Sequence, residues 1–175
     1  YPAATGIGTQ HGGILVDFNA VKGGIEIIPL DNDWQRAAHV YSDEVLISHR
    51  TDAEKGTPKF ERGKSLSDHQ REMIYISGTA AIRGEESIVT GDVLVQTEIT
   101  LENIQHLIGL EEGREKLPEH SGKLELLRVY LKHEEDAEIV KEDMDKLCPD
   151  VPIVYLYADV CREELLVEIE GIAYL

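Results

Sequence analysis

The chain has 175 residues, 42% of them hydrophobic and 29% charged, which is enough to bury a proper core and sets it among ordinary globular proteins. Its formal net charge of -17, from 34 acidic against 17 basic residues, repels phosphate backbones, and no basic cluster offsets it, so no nucleic-acid partner is expected. The longest apolar runs, Ile153 to Leu156 and Leu165 to Val167, are too short to span a bilayer, so no membrane partner is expected either.

In chain order, Tyr1-Pro2-Ala3-Ala4-Thr5-Gly6 has no basic segment and no apolar core, so no signal peptide is expected; an opening on Tyr1 without Met suggests a trimmed piece. Thr5-Gly6-Ile7-Gly8-Thr9 and Gly12-Gly13 mark tight backbone, and residues 24–28 alternate like a strand. Residues 49–71 are polar and are expected to form a long loop. Met73 to Ser77 is a predicted strand. Thr90 to Ile108 is a predicted helix with Thr90 as its cap and Asp92 favourable at its positive end. Val93, Thr97, Leu101, Ile104 and Ile108 form its inner stripe, and Gly109 ends it. Leu127, Val129 and Leu131 alternate with Arg128, Tyr130 and Lys132, the pattern of a half-buried strand.

A second helix follows, with Ala137, Val140, Met144 and Leu147 inward; the acids of residues 134–145 form its solvated face, and Pro149 and Pro152 stop it. Strands Ile153 to Val160 and Leu165 to Tyr174 close the chain, joined by Cys161-Arg162-Glu163-Glu164. The order from residue 72 is β, α, β, α, β, β. It predicts an α+β domain over residues 70–175, a mixed sheet with two helices on one face, preceded by a segment over 1–69.

Glu168 and Glu170 carry the strongest chemical signal. Alternate strand residues share a face, so both carboxylates point one way while Leu165, Val167 and Ile169 point the other. Carboxylates on a mostly apolar strand are costly unless paired or functional, and a buried one has the raised pKa that a general acid needs near neutral pH. An ion pair in the sheet or an oligomer interface accounts for them equally well. Arg162, beside a turn, is a surface charge on its own evidence, and Cys161 a buried inert thiol rather than a nucleophile. Cys148 and Cys161 have no metal-like spacing and fit free thiols in a reducing cytoplasm. His11, His39, His49, His69, His106, His120 and His133 form no ligand set, so no metal is expected. Gly63-Lys64-Ser65 lacks the rest of a phosphate-binding loop, and Gly6-x-Gly8 lacks the framing strand and helix of a dinucleotide fingerprint.

Ile74-Tyr75-Ile76-Ser77-Gly78, Gln96 to Asn103, Val129-Tyr130-Leu131 and Leu166 to Ala173 together resemble the RidA/YjgF superfamily, historically labelled endoribonuclease L-PSP. The resemblance implies a chorismate-mutase-like fold, usually a trimer with sites at subunit clefts. Imine-deaminating members use an arginine on the penultimate strand to grip the substrate carboxylate, and the ungapped match here is Ile153, which has no donor. The net charge also speaks against a ribonuclease.

A narrower set is similar to the chorismatases: Ala4 to Thr9, Asn32 to Tyr41 with Gln35, Pro58-x-Phe60-x-Arg62, Ser77-Gly78-Thr79-Ala80, and Ala158-Asp159-Val160-Cys161-Arg162 through Glu170. Those enzymes carry a RidA-like C-terminal domain behind a degenerate one, which implies that residues 1–69 are the end of an upstream domain plus a linker. The resemblance also implies removal of the enolpyruvyl group of chorismate or a related enol ether, with Glu168 as proton donor. Arg62 and Arg162 become candidate carboxylate partners and Tyr41 and Tyr157 candidate pocket walls, with Ser77, Gly78, Thr79 and Cys161 beside them. The implied partners are a small-molecule substrate and further copies of the chain, in the cytoplasm, with no cofactor. A RidA-like imine or enamine deaminase and a non-catalytic metabolite-binding module of the same fold are the alternatives.

Overall fold

Period-two burial in the last strand sets the architecture. Val167, Ile169 and Ala173 are fully buried, and their neighbours in register on the next strand, Leu131, Val129 and Leu124, are buried on the same side. The computed structural model describes residues 1–9, 12–46, 56–68, 70–109 and 123–175. His11, His49, His69, His120 and residues 49–55 of the expected loop lie outside them.

The main sheet has six strands: β1 (Glu26–Leu30), β2 (Gly63–Ser67), β3 (Glu72–Thr79), β6 (Lys123–Leu131), β7 (Ile153–Tyr157) and β8 (Val167–Tyr174). Their order is β1-β2-β3-β8-β6-β7. All pairs are antiparallel except β6 and β7, which are parallel and joined through α2 (Ala137–Leu147), the crossover that parallel neighbours require. A small hairpin of β4 (Ile82–Arg83) and β5 (Glu86–Ser87) turns at Gly84, whose φ of 61° suits a residue without a side chain.

α1 (Val93–Ile108) and α2 both pack on one face. Leu101, Ile104 and Ile108 of α1 and Val140 and Met144 of α2 meet Val129, Leu131, Val167 and Ile169 of the sheet. Asp92, not Thr90, caps α1: its carboxylate accepts from the Leu94 and Val95 N–H groups, while the Thr90 hydroxyl turns back to the Asp92 main chain. Leu147, expected inside, is 43% exposed, because it is the last residue of α2 and lies past the buried turn that ends at Met144.

Among the described residues, two strands precede the expected domain start at residue 70. β1 and β2 extend the sheet as a hairpin-like pair, Ile28 opposite Ser65, so the sheet draws on residues ahead of that boundary. Asn32, Gln35 and Asn103 then dock the next segment. The Asn103 amide donates to Ala80 and Ile82 carbonyls at 3.0 and 3.1 Å, Asn32 donates to the Asn103 carbonyl at 2.9 Å, and Gln35 donates to that of Ile82 at 3.3 Å. Satisfied buried amides of this kind fix a segment in one place.

Candidate active site

The opposite face of the sheet carries Glu168, Glu170 and Ile172 of β8 with Tyr130 and Arg128 of β6, each beside its register partner. β3 approaches from the other side. Its register with β8 runs from Met73 opposite Tyr174 to Ile76 opposite Gly171, and Thr79 then pairs with Ile169. Three steps on β3 match two on β8, so Ser77 and Gly78 form a bulge, a device that re-aims backbone next to functional groups. The bulge brings Gly78 against the Glu168 carboxyl: a Cβ there would collide with Oε1 of Glu168 and lie 2.8 Å from Cγ2 of Thr5.

Glu168 is 7% exposed. Burial raises its pKa to about 7, the Glu170 charge adds to the rise, and the Arg62 charge opposes it. The neighbouring carboxylate is treated differently. Glu170 accepts from Nη1 of Arg128 at 2.6 Å and from the Tyr130 hydroxyl at 2.7 Å. Burial and the Glu170 carboxylate hold the Tyr130 phenol above its ordinary value, so it stays protonated and donating. Two carboxylates two residues apart thus have opposite environments, one dry and one held by two donors, the arrangement that separates acid from base roles.

Arg62, just ahead of β2, is 3% exposed. Nη2 donates to the Arg36 carbonyl at 2.6 Å and to the Tyr41 hydroxyl, and the guanidinium lies 5.5 Å from the Tyr41 ring centroid and 5.6 Å from that of Phe60. Its Nε is buried with no hydrogen-bond partner among the described residues. Arg162 donates from Nη1 to the Glu85 carbonyl at 2.9 Å and to the Ser87 hydroxyl at 3.0 Å, and also lies 5.5 Å from the Tyr41 centroid. Aromatic faces at this range attract guanidinium groups without neutralising them. Arg162 also borders an open cleft of about 270 Å³ with Glu44, Glu86 and Glu164; that cleft does not include Glu168.

Residues 3–8 run across this region. The Ala4 N–H donates to the Ser77 hydroxyl at 3.0 Å, the Gly78 N–H to the Thr5 hydroxyl at 2.8 Å, and Gly8 exchanges backbone bonds with Asp159. The Ser77 hydroxyl donates to the Glu61 carbonyl at 2.6 Å and that of Thr79 to the Ser77 carbonyl at 2.9 Å, so both are spent on the backbone. Cys161, expected to be buried, is an exposed residue, yet its thiol donates to the Gly6 carbonyl at 2.8 Å, and desolvation of the sulfur, then the Glu168 and Asp159 charges, push its pKa up, the reverse of an activated nucleophile.

The structure therefore gathers Glu168, Gly78, Arg62, Tyr41 and Arg162, with Ser77, Thr79 and Cys161 as framework. Tyr157 stands apart. Parallel pairing sets it beside Leu131, in the row of Val167, so it shares the helix-side face rather than that of Glu168. Ile153, opposite Leu127, packs against the same helix-side core. Tyr130, Arg128 and Thr5 were named in sequence only within longer stretches and not as site residues, and Glu85 was not named there as one; the alternation of β6 against β8 was a signal for Tyr130. Among the described residues no cluster of three or more potential ligands could hold a metal, and no helix is long and apolar enough to cross a membrane.

No family model matches the chain. The six-stranded sheet with both helices on one face is the fold of the YjgF gene product from E. coli, whose crystal structure aligns with a TM-score of 0.54 at 16% identity, over 83% of this chain and 97% of that one. The chain thus has the RidA/YjgF fold. In sequence its likeness is to chorismatases. A chorismatase from Streptomyces rapamycinicus is 35% identical over 179 residues, 98% of this chain and 50% of that protein. A chorismatase crystal structure aligns with a TM-score of 0.72 at 28% identity, over 98% of this chain and 50% of the other. The chain spans about half the length of the curated relatives it matches.

Proposed function

We propose that this chain carries the proton-donating part of a chorismatase-type site, acting on the enolpyruvyl ether of chorismate or a related compound. The observation behind this reading is the Glu168 carboxyl, buried against Gly78 with its pKa raised to about 7. Such a group is protonated for much of the time at neutral pH and can deliver its proton to carbon. Protonation of the ether's methylene turns it into a methyl group and leaves an oxocarbenium centre on the carbon bearing the oxygen. Water adds there and yields a proton to the Glu168 carboxylate. The resulting hemiketal then collapses, its hydroxyl proton passing to the departing ring oxygen, to give pyruvate and a ring alcohol. Every atom comes from the ether and one water.

Arg62 and Arg162 supply the two guanidinium groups that a substrate with two carboxylates needs. A deaminase reading lacks its carboxylate grip, since Ile153 is packed into the helix-side core. The exposed Val154 and Leu156 on the Glu168 side of the sheet favour a covering unit, either an upstream RidA-like domain or another copy in a trimer. The two free cysteines suit a reducing cytoplasm. The test is pyruvate release from chorismate, coupled to lactate dehydrogenase and NADH. Release by the folded protein that vanishes in Glu168→Gln supports the reading; equal release by both removes Glu168 from the mechanism, and none by either removes the activity.

A further inference from the structure

Two guanidinium groups meet at Tyr41, and they come from distant parts of the chain, Arg62 ahead of β2 and Arg162 from the connection between β7 and β8. Both are held by neutral acceptors: Arg62 by the Arg36 carbonyl and the Tyr41 hydroxyl, Arg162 by the Glu85 carbonyl and the Ser87 hydroxyl. Neither is locked in a close ion pair among the described residues, although Glu164 lies near enough to Arg162, and Glu168 to Arg62, for the charges to be felt. Something must nevertheless set the spacing of one relative to the other.

Both chains of support converge on Glu85, at the turn between β4 and β5. Its main-chain carbonyl receives Arg162 at 2.9 Å. Its carboxylate accepts from the Ser42 N–H at 2.8 Å and the Ser42 hydroxyl at 2.7 Å, and pairs with Nη1 of Arg36 at 3.1 Å. Arg36 and Tyr41, the residues that hold Arg62, lie on the stretch that Arg36 and Ser42 bound. That stretch is also stitched to the turn by the backbone, from the Arg36 N–H to the Gly84 carbonyl at 2.7 Å and from the Gly84 N–H to that of Trp34 at 2.8 Å.

We infer that Glu85 is a positioning residue that couples Arg62 and Arg162 into one binding unit for a dianion, holding Arg162 through its main chain and the supports of Arg62 through its side chain. The inference rests on the reading that these arginines take the substrate's two carboxylates. It adds that their spacing is set by a carboxylate that touches neither the substrate nor Glu168. Glutamine keeps one acceptor oxygen but loses the charge opposite Arg36 and one of the two acceptors for Ser42, so KM for chorismate, and the Kd by calorimetry, should be about tenfold higher in Glu85→Gln.

Because Glu168 is untouched, kcat and the pH at which activity falls should stay near those of the unaltered protein. Glu85→Asp, which keeps the charge, should recover part of the affinity, and Ser42→Ala, a mild change that guards against misfolding of the others, should shift KM in the same direction by a smaller factor. Arg62→Lys and Arg162→Lys are measured alongside. If they weaken chorismate binding but Glu85→Gln and Ser42→Ala only lower the melting temperature, the coupling is wrong and the site reading stands. If the lysine variants bind chorismate unchanged, the coupling and the assignment of the arginines to carboxylates both fall.

Discussion

Gly78 and Glu168 face each other across β3 and β8 with room between them for a hydrogen atom only. A methyl group on residue 78 would displace the Glu168 carboxyl and crowd Thr5 without opening any cavity in the core. On the proposed reading Gly78→Ala is therefore expected to cut pyruvate release about a hundredfold, the usual cost of moving a reacting group by an ångström, and to cost about 1–3 kcal/mol of stability through overpacking. Full turnover in a folded Gly78→Ala protein would show that the acid sits elsewhere.

The raised pKa of Glu168 makes two linked statements about pH. On the proposed reading Glu168 donates from its acid form, so turnover should fall as pH rises through about 7. For stability, its folded pKa lies above the ordinary carboxyl value of 4.5, so its contribution is complete below that value and is lost as pH rises through about 7. The shift corresponds to a penalty of up to about 3 kcal/mol at high pH. Glu168→Gln, which never ionises, should melt higher than the unaltered protein at pH 8, with the gap closing toward pH 5. Melting curves that run parallel across this range would contradict the burial argument.

Tyr130 spends its hydroxyl on Glu170 at 2.7 Å. Tyr130→Phe leaves Glu170 with Arg128 alone and should cost about 1 kcal/mol in chemical denaturation. Equal stability would mean that the exposed Arg128 suffices by itself.

At the start of α1 the roles of two residues separate cleanly. Asp92→Ala removes the acceptor for two helix N–H groups and should cost about 1 kcal/mol, whereas Thr90→Ala, which removes contacts to the Asp92 main chain only, should cost less. The two urea midpoints decide the order.

That cap also shows where a linear reading reaches its limit. Thr90 and Asp92 are both good caps, and only the place where the helical dihedrals begin chooses between them. The stripe of α1 and the alternation of Val167 and Ile169 follow from helix and strand geometry, so they were legible, and with them the shared face of Glu168 and Glu170. β2 was not, because Gly63-Lys64-Ser65-Leu66-Ser67 has one large apolar residue and becomes a strand through its neighbours β1 and β3. The face of Tyr157 was not legible, since it depends on the parallel register with β6, and a single step reverses it. Glu85 was invisible for a different reason: its partners lie 43 residues back at Ser42 and 77 residues ahead at Arg162.

The placement of β8 has a consequence for how the protein is made. It is synthesised after both β3 and β6, yet it fills the middle of the sheet between them. Until it inserts, β3 and β6 both present open edges, and the growing chain must carry them uncovered past the synthesis of α2 and β7. The same event buries Glu168 against Gly78, across a separation of some ninety residues, so dehydration of the acid and closure of the sheet are one step. A nascent chain stalled before β8 should accordingly bind chaperones and offer its edges to other chains, and burial of Glu168 should appear together with release from them, not before.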